Sequence, residues 1–219
     1  MRAAKPIDPI RFQYELQYID LGPVSGTDEA GRGPLAGPVS TASVVFPREI
    51  IEAGAAGCLA DIDPMLNRIN DSKKVSESIR DALYDVIISR AEAYSIQLIQ
   101  HDTIDEINIL EATKHGMKTS ILDVAPKTAL IDAVKLDIPD VNLVPLIKGD
   151  AISYTIGAAS ILAKVTRDRI MEEMDKLYPE YGFAGHKGYG TKSHIDAIKQ
   201  YGLSPIHRRS FCKNFMNND

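Results

Sequence analysis

The chain has 219 residues, room for one domain with a sizeable core and at most a small appendage. Its 25 lysines and arginines face 30 acids, a net charge of −5, and its apolar content of 44% includes no run long enough to be a membrane-spanning helix. A helical membrane protein and a uniformly basic nucleic-acid binder are excluded, although the distribution of charge matters more than its sum.

Residues 8–20 predict a short amphipathic helix with Ile10, Tyr14 and Tyr18 on one side, suited to packing rather than chemistry. Arg, Asp and Glu interrupt the apolar positions of residues 1–22, so no secretory leader is expected there. Residues 24–29 and the β-branched stretch 39–46 read as two strands of a hairpin. Around their junction runs Gly26-Thr27-Asp28-Glu29-Ala30-Gly31-Arg32-Gly33-Pro34-Leu35-Ala36-Gly37-Pro38. Glycines let a backbone approach a ligand with no Cβ in the way, and paired carboxylates beside such a loop suit a divalent metal with oxygen ligands. An Asp-Glu pair beside glycine also describes an ordinary surface hairpin, so the pair alone decides nothing.

Residues 48–70, broken by Gly54, Gly57 and Pro64, predict an extended surface segment with at most a short helix near 50–53. Asn70-Asp71-Ser72-Lys73-Lys74-Val75-Ser76 reads as a solvated loop whose Ser76 caps a helix over 77–93, with Leu83, Ile87 and Ala91 at helical spacing. Residues 94–100 alternate as a third strand should. Asp102 opens another helix, and Asp105 and Glu106 are assigned to its first turn, where acids favour the positive end of the dipole; both are left out of the site.

Two short apolar strands follow, 128–132 ending in Asp132 and 141–147 running into Lys148-Gly149-Asp150. Acids at strand ends before a helix are where α/β sheets place active sites. Residues 151–177 predict one long helix with Ile152, Ile156, Ala159, Ala163, Ile170 and Met174 on its buried face. A rival acid, Asp168, would lie roughly 27 Å along that helix from Asp150, beside Arg167 and Arg169 on the solvated side. Ser160 and Lys164 are open to either packing or a phosphate contact. A glycine-rich block, Tyr181-Gly182-Phe183-Ala184-Gly185-His186-Lys187-Gly188-Tyr189-Gly190-Thr191, precedes a helix over 192–201. Lys187, Lys192, Lys199, Arg208, Arg209 and Lys213 make a basic C-terminal face available. Cys58 and Cys212 are far apart and lack metal-ligand neighbours, which points to a reducing cytoplasm.

The string 26–38 resembles the first motif of the type 2 ribonucleases H, in particular bacterial ribonuclease HII. Asn70-Asp71-Ser72-Lys73-Lys74, the acids Asp132 and Asp150, Ala158-Ala159-Ser160-Ile161-Leu162-Ala163-Lys164-Val165 and the block around Tyr189 follow in that family's order, over about 24–211. The resemblance implies an α/β fold, a ribonuclease H-like mixed five-stranded sheet flanked by helices, with a C-terminal helical segment. It implies a catalytic domain over 1–180, with 1–22 as a helical extension, and a substrate-contacting segment over 181–219 packed on it.

Four carboxylates, Asp28, Glu29, Asp132 and Asp150, would then hold two divalent ions, Mg²⁺ or Mn²⁺, about 3.5–4 Å apart. The backbone of Gly31-Arg32-Gly33 would read a ribose 2′-hydroxyl, Tyr189 would stack on the neighbouring sugar, and Asn70 and Lys73 would lie along the nucleic-acid backbone. The implied activity is a monomeric endoribonuclease cutting 5′ to ribonucleotides, in RNA/DNA hybrids and at single ribonucleotides in duplex DNA, leaving 3′-hydroxyl and 5′-phosphate ends.

Two residues depart from the family pattern, Ala133 where Gly is usual and Gly190 where Pro is frequent. Adjacent strand residues point to opposite faces, so Asp28 and Glu29 share a site only if the strand kinks at Ala30-Gly31 or Glu29 acts through its carbonyl or a water. The sister ribonuclease HIII would need an N-terminal DNA-binding extension longer than residues 1–23. The presence of all four acids weighs against a binding subunit with a dead site, and no P-loop or full dinucleotide fingerprint supports a nucleotide-binding protein.

Overall fold

The structure, a computed structural model, describes residues 7–132 and 134–215; Ala133 lies outside them, as do the ends of the expected extension and C-terminal segment. Strands β1 (Val24–Ala30), β2 (Val39–Val45), β3 (Ala93–Ile99), β4 (Thr128–Asp132) and β5 (Asn142–Leu146) form one sheet in the order β3-β2-β1-β4-β5. The β1–β2 and β2–β3 pairs are antiparallel, and the β1–β4 and β4–β5 pairs are parallel. Parallel pairing brings the carboxyl ends of β1, β4 and β5 to one edge, which is how residues distant in sequence come to share a pocket.

The helices are α1 (Gln13–Tyr18), α2 (Arg48–Ala55), α3 (Leu59–Ile62), α4 (Glu77–Arg90), α5 (His101–Ile107), α6 (Ile109–Val124), α7 (Gly149–Ile152), α8 (Tyr154–Leu177), α9 (Phe183–His186), α10 (Lys192–Tyr201) and α11 (Arg209–Cys212). The start of α8 lies directly on β1: a Cβ on Gly26 would stand 2.1 Å from the backbone carbon of Thr155. Ala158, Ala159, Ile161 and Leu162 of α8 pack with Val44, Leu83 and Ile87 in the largest core cluster. On α6, Met117 and Ile121 pack with Ala129 and Ile131 of β4. Hydroxyls also bridge α6 to the sheet, with Ser43 Oγ 2.7 Å from Thr27 Oγ1 and 2.9 Å from Ser120 Oγ. Tyr181, Phe183, Ala197, Ile198 and Cys212 form a separate cluster with Leu35, Ala36 and Met171. No helix among the described residues is long and apolar enough to cross a membrane.

Several local expectations are corrected. Residues 48–70 are no extended surface segment: they fold into α2, α3 and a 3-10 turn, and bury Ile50, Ile51, Leu59, Leu66 and Ile69 in the main core. Gly54 acts there as a seat rather than a breaker, because a Cβ on it would meet Phe12 Cζ at 2.1 Å. The expected 8–20 helix is split by a 3-10 turn over Pro9–Phe12, which turns Ile10 outward (57% exposed) and buries Phe12 and Glu15 instead. The expected 151–177 helix breaks at Ser153, whose Oγ accepts from Ile156 N at 3.2 Å and donates to Glu15 Oε1 at 2.7 Å. Asp168 is not solvated: it is buried and accepts from Lys164 Nζ at 2.6 Å.

Asp105 also has a reason other than the one expected, since its carboxylate accepts from the backbone N–H groups of Arg209 (2.7 Å) and Ser210 (3.0 Å). It thereby ties α5 to the start of α11. Asp105→Ala is expected to destabilise the fold by about 1 kcal/mol, the usual cost of losing a helix cap, measurable by urea unfolding. An unchanged midpoint would show that the tie contributes nothing.

Candidate metal and nucleic-acid site

Asp28 stands near the end of β1, Asp132 ends β4, and Asp150 lies in α7 just beyond β5. One carboxylate oxygen from each comes within 4.8 Å of the others. Backbone donors orient two of them: Glu29 N–H donates to Asp28 Oδ1 at 2.7 Å, and Gly149 N–H to Asp132 Oδ1 at 2.8 Å. Lys148, before Gly149, takes the left-handed conformation (φ 57°) that turns the chain from β5 into α7. The Asp150 carbonyl accepts from Arg11 Nη2 at 3.0 Å, and the same guanidinium also holds the carbonyls of Ile69 and Ser153. No sequence signal marked Arg11 for that task.

The electrostatics follow from packing acids together below the surface. Burial pushes the Asp28 carboxyl well above the usual carboxylate range, and Glu29 and Asp132 push it further, against hydrogen bonds from Glu29 N–H and Ser160. Burial likewise raises Glu29, opposed by Arg32 and reinforced by Asp132. Asp150 is raised by burial, then by Asp71 and Asp132, with Lys73 acting against them. The pocket concentrates negative charge beyond what Arg32 and Lys73 offset, and a divalent cation is the group that would relieve it.

Glu29 lies beside the group of three rather than in it. β1 continues in regular register through Glu29↔Thr41 and Ala30↔Ser40, so the expected kink falls at Gly31, beyond both acids. Arg32 Nη1 approaches Glu29 Oε1 at 3.4 Å, while Oε2 is buried and finds no hydrogen-bond partner among the described residues.

The glycine loop is built on two buried arginines. Arg208 donates from Nη2 to the Gly31 carbonyl (2.7 Å), from Nη1 to that of Arg32 (3.0 Å) and from Nε to that of Gly37 (2.9 Å). Arg167 donates from Nη2 to the Ala36 carbonyl (3.0 Å), from Nε to that of Pro38 (2.9 Å) and from Nη1 to that of Lys187 (2.9 Å). Gly31 has φ +94°, and a Cβ there would fall 2.0 Å from Arg167 Nε, so glycine is demanded by both conformation and space. Burial lowers Arg208 to about 9, with Arg167 adding to the effect, and burial lowers Arg167 to about 10. Both stay charged at neutral pH. Arg208 therefore leaves the expected basic face and becomes a buried brace, placing positive charge beneath the exposed Arg32 and Gly33.

Tyr189, 45% exposed, comes to the same loop: its Cε1 lies 3.7 Å from where a Cβ of Gly33 would be. Leu35 N–H joins the two segments by donating to the Gly188 carbonyl at 2.8 Å. Asn70 accepts from Asp71 N–H at 2.8 Å, and exposed Lys73 is close enough to Asp150 to act on its charge, so both lie on the Asp150 side of the pocket. Ser160 faces inward, 2.8 Å from Ser72 Oγ and bonded to Asp28, and Lys164 is committed to Asp168. Both side chains therefore have partners within the protein.

The family model described as Ribonuclease HII matches residues 25–214. Ribonuclease HII of Ruminiclostridium cellulolyticum is 52% identical over 209 residues, covering 94% of this chain and 76% of its own length. That of Clostridioides difficile is 48% identical over 205 residues, 93% of this chain and 74% of its own. Among solved structures, the ribonuclease H2 of Pyrococcus horikoshii aligns over 90% of this chain and 100% of its own, with TM-score 0.71 and 28% identity. The Archaeoglobus fulgidus RNase HII, solved in complex with PCNA, shares the fold at TM-score 0.70 and 23% identity, over 90% of this chain and 98% of its own.

Proposed function

Because the chain belongs to the ribonuclease HII family, and is therefore a nuclease, we propose that it hydrolyses the phosphodiester on the 5′ side of ribonucleotides. Its substrates on this reading are RNA/DNA hybrids and duplex DNA carrying single ribonucleotides, and its products bear 3′-hydroxyl and 5′-phosphate ends. The observation that supports it most is the meeting of Asp28, Asp132 and Asp150 within 4.8 Å beside a loop that presents Arg32 and Gly33 to solvent.

The residues present suit a pair of hard divalent cations, Mg²⁺ or Mn²⁺. All the donors are carboxylate oxygens, and the unpartnered Glu29 Oε2 supplies a fourth acid at the rim. Bound there, such ions supply an activated water and neutralise charge on the departing 3′ oxygen. The chain's own residues do the rest. The Gly31-Arg32-Gly33 backbone, held from below by Arg208, reads the 2′-hydroxyl that distinguishes RNA from DNA at one nucleotide. Tyr189 stacks on the adjacent sugar, and Asn70 and Lys73 hold phosphate oxygens. The segment from residue 181 onward contacts the duplex, and the enzyme acts as a monomer in the cytoplasm.

Incubated with Mg²⁺, the protein is expected to nick duplex DNA bearing one ribonucleotide and to leave an all-DNA duplex intact. Uncut substrate across a range of Mg²⁺ and Mn²⁺ would favour a binding subunit instead. Tyr189→Ala is expected to lower kcat/KM on that substrate about tenfold, the scale of one lost stacking contact. Tyr94→Ala, on the edge strand β3, is expected to change nothing. Equal effects of the two would remove Tyr189 from the site.

A further inference from the structure

Both backbone polar groups of Tyr189 reach histidines, and its carbonyl also accepts from Thr191 N–H at 2.8 Å. Its N–H donates to the His186 carbonyl at 2.9 Å, and its carbonyl lies 2.9 Å from His194 Nδ1. A carbonyl can only accept, so His194 Nδ1 carries the proton and its Nε2 is bare. At the other end, Ser204 N–H can only donate, and it reaches His207 Nδ1 at 2.9 Å, so the His207 proton sits on Nε2. The two Nε2 atoms are 3.0 Å apart. The hydrogen bonds therefore run one way, from Ser204 through His207 and His194 to the Tyr189 carbonyl.

The surroundings make that direction hard to change. His194 and His207 are 0% and 2% exposed, so water does not replace a lost partner. His186 stacks on His194 with ring centroids 4.3 Å apart. Its own state is fixed in the same way: Nδ1 accepts from Gly188 N–H at 3.2 Å, leaving Nε2 to donate to the Tyr181 carbonyl at 2.8 Å. Burial, reinforced by the neighbouring imidazoles, lowers both His194 and His207 to about 4, so the pair is neutral at ordinary pH. Three neutral imidazoles with assigned protons form a more specific arrangement than packing with Phe183 requires.

We propose that His194 and His207 are positioning residues: their one-way relay, acting with Thr191 N–H, holds the carbonyl of Tyr189 and so sets the ring beside Gly33 at the angle at which it meets the substrate. The inference rests on the role given to Tyr189 above. In the nitrogen-labelled full chain, a scalar coupling across the Nε2···Nε2 bond is expected, with ring shifts reporting His207 protonated at Nε2 and His194 at Nδ1. Reversed tautomers or no coupling would overturn the relay without reference to any substrate.

On the one-ribonucleotide duplex, His194→Leu is expected to lower kcat/KM about tenfold through a displaced tyrosine. His194→Asn, whose amide N–H replaces the Nδ1–H donor, is expected to restore most of that loss; equally poor variants would overturn the proposal. In a Tyr189→Ala background His194→Leu is expected to cost less than about twofold more, because the two act through one contact. A full further loss would mean that the histidines only hold the fold. If Tyr189→Ala itself cleaves normally, the role of Tyr189 fails and positioning with it, while the coupling still reports on the relay.

Discussion

Asp28→Asn and Asp132→Asn are each expected to reduce nicking of a one-ribonucleotide duplex by about a thousandfold, and Asp28→Asn is expected to raise the melting temperature of the metal-free protein. Each change replaces a carboxylate of the three-acid group by an amide, which offers one oxygen, no charge, and N–H groups that face a cation unfavourably. The gain in stability has a separate cause. The Asp28 carboxyl is raised by burial first and by Glu29 and Asp132 next, so the folded state holds its proton more tightly than the unfolded chain does.

The direction of the pH effect follows from that difference. Above the ordinary value of 3.8 the unfolded chain releases this proton while the folded state still binds it, so stability falls as pH rises toward the raised folded value. The Asp28→Asn variant lacks this loss. Thermal melts in chelator between about pH 4 and 8 should therefore show a shallower decline for the variant, and added Mg²⁺ should stabilise only the parent protein. Normal nicking by either variant would remove that acid from the site. A lower melting point for Asp28→Asn would show that a partner already compensates the charge.

Arg208→Met is expected to cost about 3 kcal/mol or more and to abolish cleavage, and Arg208→Lys is expected to recover little of either. Truncation leaves the carbonyls of Gly31, Arg32 and Gly37 without their donor, each in the range of about 1–3 kcal/mol when buried. A lysine presents one ammonium where the fork of Arg208 reaches three separate oxygens. The neighbouring Arg209→Ala is expected to stay within about 0.5 kcal/mol, because Arg209 is exposed and the bond it makes to Asp105 uses its backbone. Urea unfolding of the three variants, beside their nicking rates, tests the brace. Wild-type stability in Arg208→Lys would show that charge alone suffices.

Much of this protein was legible where local chemistry decides the outcome. The helix over Lys192–Tyr201 appears as read because Thr191 caps it and its distant packing partners meet the face that helical spacing already presents. All five strands fall within a residue of their expected limits, since short apolar or alternating stretches bounded by turn residues leave few alternatives. The family itself was legible for a related reason: its motifs are short strings whose order does not depend on how they fold together. Residues 48–70 read as extended in the sequence because glycine and proline break elements locally, while Phe12, which needs Gly54 as a seat, lies in another part of the chain. The break between α7 and α8 was invisible because Glu15, which accepts from Ser153, is 138 residues away.

The amino-acid order alone determined which side chains this enzyme has available: the acids at strand ends, the Gly-Arg-Gly turn, the late tyrosine. Tertiary structure alone decided how they are held. It drew Asp28, Asp132 and Asp150 together, set Glu29 at the rim, and made buried braces of Arg11, Arg167 and Arg208. The physical reason is that a carboxylate at a strand end can be recognised from its neighbours, whereas a guanidinium's partners are backbone carbonyls, present at every residue and identical in any sequence. Arg208 meets the Gly31 carbonyl across 177 residues, and only the folded chain selects that oxygen from all the others.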